Sequence, residues 1–276
     1  MNRFLRLRLR NWLYPLISLS VIAGICLGQV AIAKAISWGD LIRQGVQVIQ
    51  LSSLSDKQEV DFGKQINNEL KSQVRISRNP QLTAYINDIG QRLAKNSSRR
   101  NIPYTFQVVE DNGVNAFATM GGFVYVNTGL VKLADNEAEL ASVIGHEIGH
   151  IAARHSINQM KEQALASGIA NVAGLNRNTA IRIGVDLALR RPHSRRAEYE
   201  ADELGIKALG QAGYGQSAAP TFMSKLMTQR STPTFFSTHP PASDRVARLK
   251  QAVNPNQASG TGLDSAAYRA KVRSLL

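Results

Sequence analysis

His146-Glu147-Ile148-Gly149-His150 decides how the rest of this chain is read. Residues four apart on a helix lie one above the other, so His146 and His150 can turn two imidazoles toward one metal ion. Glu147 stands beside them, suited to handling the proton of an activated water. With five histidines in 276 residues, chance alone puts such a motif in roughly one chain in a hundred. Its surroundings must therefore carry the case.

The helix around the motif is well specified. Asp135 or Asn136 can cap its start, Glu137 and Glu139 suit the positive end of its dipole, and Leu140, Ile144, Ile148 and Ile151 form a core stripe. Gly145 and Gly149 lie inside it, each costing about 0.8–1 kcal/mol relative to alanine. Close approach of another segment would explain both.

A catalytic zinc takes three protein ligands and keeps a fourth position for water. The solution H-E-x-x-H-x-x-G-x-x-H fails, because Ala153 and Ser156 occupy the positions it needs. His155 follows His146 by nine residues; on a continuous helix it falls on the opposite face, packed or solvated. A later segment, Ala197-Glu198-Tyr199-Glu200-Ala201-Asp202-Glu203, offers acids instead. Glu198 and Asp202 share a face there, and Glu200 points away from both. One reading is a ligand carboxylate with a second acid that orients a liganding imidazole. The other is a solvated acidic helix start.

Upstream, Ser55 with Gln58 opens a helix, and Asn79-Pro80 opens another whose stripe is Leu82, Tyr85, Ile86, Ile89 and Leu93. Tyr104–Val109 and Gly122–Asn127 are strand-like, with Asn-Ala-Phe-Ala-Thr-Met-Gly-Gly (115–122) between them. The glycine pair marks a hairpin turn or a close backbone approach. Downstream, helices are expected through 157–190 with a break near Gly174, then over 195–209 behind Ser194, 217–229, 242–253 and 265–276. Residues 230–241 read as a loop, and His193 as a surface residue.

Composition bounds the rest. Apolar residues at 43% and charged residues at 19% describe a globular chain. The net charge of +13 favours an anionic membrane surface as a possible partner, and no nucleic-acid motif accompanies it. Arg3, Arg6, Arg8 and Arg10 precede a charge-free run from Asn11 to Ala33. That run reads as a signal peptide over 1–33, or as an uncleaved N-terminal anchor. The single cysteine, Cys26, lies within it behind Ile25, unsuited to lipidation. Any metal must then be held by His, Asp and Glu. A linker is expected over 34–54, one domain over 55–253 and a polar tail over 254–276.

The two halves together resemble the zinc peptidase family that contains the type I CAAX prenyl proteases, the HtpX heat-shock proteases and their soluble periplasmic relatives. Four ordered motifs carry the likeness: NAFATMGGFVYVNTGL from Asn115, NEAELASVIGHEIGH from Asn136, SRRAEYEADELG from Ser194 and STHPPASDR from Ser237. A departure is Thr119-Met120, where relatives commonly carry proline before the glycine pair.

The resemblance implies a predominantly helical α+β zincin domain of gluzincin type with a small β-sheet, holding one zinc ion. It selects His146, His150 and Glu198 as metal ligands, Asp202 behind them and Glu147 as the proton carrier. His239 and Arg245 would reach back to the site, where one of them stabilises the oxyanion, or His239 occupies the open zinc position. Asn115, Ala116, Phe117, Gly121 and Gly122 would lie on an edge strand that pairs with an extended substrate. The implied function is an endopeptidase of the periplasm, or otherwise extracytoplasmic, acting on unfolded or misassembled envelope proteins. Prenyl-protein processing fits poorly, since those relatives have several membrane spans and this chain at most one. The competing function is a chaperone-like quality-control factor whose zinc is structural. Oligomeric state is not legible.

Overall fold

Capping residues set the helix boundaries. In the computed structural model Ser55 and Gln58 close a reciprocal capping box at the start of α1 (Asp56–Gln73), and Asn79 caps α2 (Pro80–Ala94) with proline in its first turn. The structure describes residues 48–49, 51–166, 175–241 and 243–276. The signal or anchor expected over 1–33, most of the 34–54 linker and Gly174 lie outside the described residues.

A short ladder pairs β1 (Val48–Ile49) with β5 (Leu175–Asn176), antiparallel. The main sheet has three strands: β2 (Thr105–Val109), β3 (Ala116–Thr119) and β4 (Phe123–Asn127), in the order β2-β4-β3. β4 is central, parallel to β2 with Thr105 opposite Phe123, and antiparallel to β3 with Thr119 opposite Phe123. Side chains alternate across the sheet. Phe106, Val108, Ala116, Ala118, Val124 and Val126 join Leu82, Ile86, Leu140, Ile144 and Ile148 in one core. Val109, Phe117, Phe123 and Tyr125 join Phe62, Ile66 and Leu70 of α1 in another. Both faces are covered, which is why these strands read as nearly unbroken apolar runs.

Helices complete the chain: α3 (Thr128–Leu133), α4 (Glu137–Ala152), α5 (His155–Ala166), α6 (Arg177–Arg190), α7 (Arg195–Gln211), α8 (Ala218–Met227), α9 (Phe235–Thr238), α10 (Arg245–Ala252) and α11 (Ser265–Leu275). Two of these were not expected: α3, and the single turn of α9 inside the 230–241 loop. None of the described helices is long and apolar enough to cross a membrane.

The contact that builds the site is α4 against α7. A Cβ on Gly149 would stand 2.6 Å from the Ala201 carbonyl oxygen, and one on Gly145 would stand 3.2 Å from that of Gly205. The two glycines let the helix backbones touch, which is the close approach their cost implied. The pair Gly121-Gly122 serves two purposes at once. Both residues have positive φ in the β3–β4 turn, and a Cβ on Gly121 would meet the Glu59 carbonyl oxygen at 2.8 Å while one on Gly122 would meet that of Pro103 at 2.0 Å.

Candidate metal centre

Asn136 caps α4 through its side chain, accepting from the Glu139 N–H. Two turns on, α4 delivers His146, Glu147 and His150 to a buried position facing α7. Ser194 caps α7 and accepts from the Ala197 N–H, so Glu198 sits in its first turn and Asp202 one turn later on the same face. His239, the residue at the C-terminus of α9, closes the group from a third direction.

His146, His150, Glu198 and His239 each offer one ligand atom, and these atoms lie within 4.8 Å of one another. His146 Nε2 is 3.0 Å from His150 Nε2 and 3.3 Å from His239 Nδ1. Glu198 Oε1 is 3.4 Å from His150 Nε2 and 3.3 Å from His239 Nδ1. Ligands of a tetrahedral zinc with bonds of about 2.0–2.1 Å stand roughly 3.3 Å apart. The spacing and the nitrogen–oxygen donor set therefore fit that ion. Neither carboxylate oxygen of Glu147 has a hydrogen-bond partner among the described residues, and the nearest ring nitrogen, His239 Nε2, is 3.3 Å from its Oε1. A buried carboxylate left this way is costly, and a chemical use would account for its retention.

The outer contacts fix the inner ones. His146 Nδ1 is 2.9 Å from Asp202 Oδ1. Arg245 is fully buried and donates from Nε and Nη2 to the two oxygens of Asp202, both at 2.8 Å, while its Nη1 is 2.8 Å from Glu198 Oε2. The site is reached by Arg245, then, through its two carboxylates. Burial opposes charge on His146, but hydrogen bonds to Asp202 and Glu198 outweigh it and raise its pKa to about 9. Burial dominates at His150, with help from His193, and holds it well below the ordinary histidine value. Burial would raise Glu198, yet the neighbouring His239 and its hydrogen-bonded imidazoles hold it far below the carboxylate range. Glu147 is raised by burial.

The far-face position expected for His155 and the surface position expected for His193 are corrected. His155 is buried, and its Nδ1 is 2.9 Å from His150 Nδ1. The helix does not continue as assumed: α4 ends at Ala152 and Arg154 turns left-handed at φ 57°, so α5 starts in a new direction. An ion pair with Glu59 at 3.0 Å and a hydrogen bond to the Leu54 carbonyl hold Arg154 there. His193 is half-buried; its ring stacks on that of His150 at 4.1 Å, and its backbone N–H donates to the Thr238 carbonyl. Its place directly before the cap of the helix that bears Glu198 was the signal available in the sequence.

The expected substrate strand is at the sheet edge, but Ala116 to Thr119 are all buried, and Ile183, Val185 and Leu187 of α6 share the core of Phe117. Asn115 is half-buried just before it. Gly121 and Gly122 form the turn and pack against the Glu59 and Pro103 backbones.

Comparison with known proteins shows the family. The sequence pattern described as "Peptidase family M48" matches residues 80–253. The Beta-barrel assembly-enhancing protease of Escherichia coli (strain K12) is 32% identical over 273 residues, 93% of this chain and 56% of that protein. The Mitochondrial metalloendopeptidase OMA1 of Schizosaccharomyces pombe is 27% identical over 198 residues, 69% of this chain and 58% of its own length. The Metalloprotease LoiP of Escherichia coli is 28% identical over 226 residues, covering 78% of this chain and 88% of that protein. The chain thus spans little more than half the length of the beta-barrel assembly-enhancing protease it matches. A family pattern that takes in both the α4 histidines and the α7 acids, with one relative alike along almost all of the chain, shows that this chain belongs to peptidase family M48, a family of zinc metallopeptidases.

Proposed function

We propose that the chain is a zinc-dependent endopeptidase of the periplasm or another extracytoplasmic space, cleaving misfolded or misassembled envelope proteins. The observation that carries it is the convergence of His146, His150 and Glu198 beside the buried, unpartnered carboxylate of Glu147. In this reading those three residues hold one zinc ion, which when bound polarises the scissile carbonyl and activates a water. Glu147 accepts a proton from the attacking water and returns it to the leaving amine. Asp202 accepts from His146 Nδ1–H and so keeps Nε2 turned inward. Arg245 neutralises Asp202 and Glu198 together and acts as a positioning group. His239 is the side chain able to meet a carbonyl oxygen as charge develops on it, once it withdraws from the fourth donor position it takes here. The edge position of β3 supports pairing of an extended polypeptide along Asn115, Ala116, Phe117, Gly121 and Gly122.

The envelope substrate is supported by the name of the Escherichia coli relative and by the signal-like N-terminus, which would export the chain or tether it to a membrane. Degradation of casein by wild type and by Glu147→Gln tests the mechanism. The variant should lose about a hundredfold or more, and equal rates would refute the role of Glu147. One observation favours a second reading, a chaperone-like factor with structural zinc: four donors are gathered, as in closed structural sites. Full complementation of a null strain by Glu147→Gln, but not by His146→Ala, would select it.

A further inference from the structure

His155 and Glu200 take no part in the reading above, yet both stand in line behind one of its ligands. His150 Nδ1 is 2.9 Å from His155 Nδ1, and His155 Nε2 is 3.3 Å from Glu200 Oε2. Two ring nitrogens facing each other at that distance need one proton between them. His150 presents Nε2 to the other donors, so the proton belongs on its Nδ1. It is donated to the lone pair of His155 Nδ1, which leaves the proton of His155 on Nε2, facing the Glu200 carboxylate. Each donor then has an acceptor, and both tautomers are determined.

We infer that His155 is the positioning residue for His150, acting through its Nδ1, with the Glu200 carboxylate beside its far nitrogen. The arrangement parallels that of the other liganding imidazole, where Asp202 stands behind His146 and Arg245 behind Asp202. Glu198, Glu200 and Asp202 thereby all serve one centre from a single helix. Glu200 points away from the other two, and it reaches the ligands only because an imidazole bridges the gap. That bridge depends on the left-handed Arg154, since a continuous helix would carry His155 to the far face. The ring of His193 on the face of His150 leaves the Nδ1 edge as the place where its rotation is fixed.

The inference rests on reading His146, His150 and Glu198 as metal ligands, and its test separates the two claims. Zinc affinity is measured on the full chain by competition with a chromophoric chelator, and the ligand field by the visible spectrum of the cobalt form. His155→Asn puts an amide oxygen where Nδ1 stands and can still accept from His150, so it should stay close to wild type. His155→Gln puts its amide near Nε2 instead, and His155→Leu offers no acceptor. Both should bind about 10–100-fold more weakly with a shifted cobalt band. Equal affinity and equal spectra across the set overturn the inference, as does a loss in His155→Asn as large as in His155→Leu. A merely structural role would lower the metal-free unfolding midpoint and leave affinity alone. Should His155→Leu not fold, the Asn and Gln variants decide between themselves. Wild type taking up no metal would instead overturn the ligand reading beneath it.

Discussion

Gly149→Ala is the substitution that most directly tests how the site is assembled. Its new methyl would stand 2.6 Å from the Ala201 carbonyl oxygen and 3.0 Å from the Ala201 Cα, roughly 0.8 Å short of ordinary contact near 3.4 Å. The obstacle is helix backbone, so no side chain can swing away, and α4 and α7 must separate. Alanine gains about 0.8–1 kcal/mol in helix propensity, while overpacking of a fixed core costs about 1–3 kcal/mol. The net expectation spans about 0–2 kcal/mol lost and centres on about 1 kcal/mol, equivalent to a fall in Tm of about 2–4 °C. The damage reaches the metal centre, because Ala201 lies between Glu198 and Asp202 and Gly149 adjoins His150. Zinc affinity should fall on the order of tenfold. Thermal and urea unfolding of the metal-free chain, with chelator competition for zinc, measure both effects. Gly145→Ala should do less, since its methyl would stand 3.2 Å from the Gly205 oxygen. A Gly149→Ala chain as stable as wild type with unchanged affinity would refute the backbone contact as the determinant of the site.

Other outcomes follow from features farther out. Arg99→Leu removes the main partner of the fully buried Glu59 and should cost about 3 kcal/mol in urea unfolding. The same arginine, by hydrogen bonding, holds the Asp56 carboxyl below its ordinary 3.8. The stability Asp56 supplies is thus present above 3.8 and lost as pH falls through its lower folded value. In Arg99→Leu that part of the acid transition should shrink in a pH series of unfolding midpoints, with Arg154 and Asn101 still favouring the carboxylate. Stripping zinc with a chelator should lower stability by about 4 kcal/mol relative to a thousandfold excess of zinc over its Kd, and re-addition should restore it.

What could be read in the sequence was local. Ser55 with Gln58, Asn79-Pro80, Asn136 and Ser194 fix helix starts by hydrogen bonds spanning three residues, and the His146–His150 and Glu198–Asp202 pairs follow from helical periodicity alone. The pairing of β2 with β4 is parallel across an intervening strand, and nothing within either segment announces it. His155 was misread for a sharper reason. Its position depends on one left-handed residue, Arg154, which is not glycine and is held there by a carboxylate far upstream. Glu200 could be placed on its helix face correctly and still be dismissed, because its partner was missing.

That upstream carboxylate defines how little of this chain could stand as a minimal catalytic unit. Glu59 receives Arg99, Arg154 and the Gly121 N–H, so a single side chain of α1 pins the entry to α5 and the β3–β4 turn together. The family pattern begins only at Pro80. A shortened chain cut at that boundary would keep every metal ligand and the proton carrier. It would lose the anchor that bends the chain at Arg154, and with it the wall behind His150. The family pattern marks where the chemistry resides, whereas the mechanical frame that aims it starts a full helix earlier.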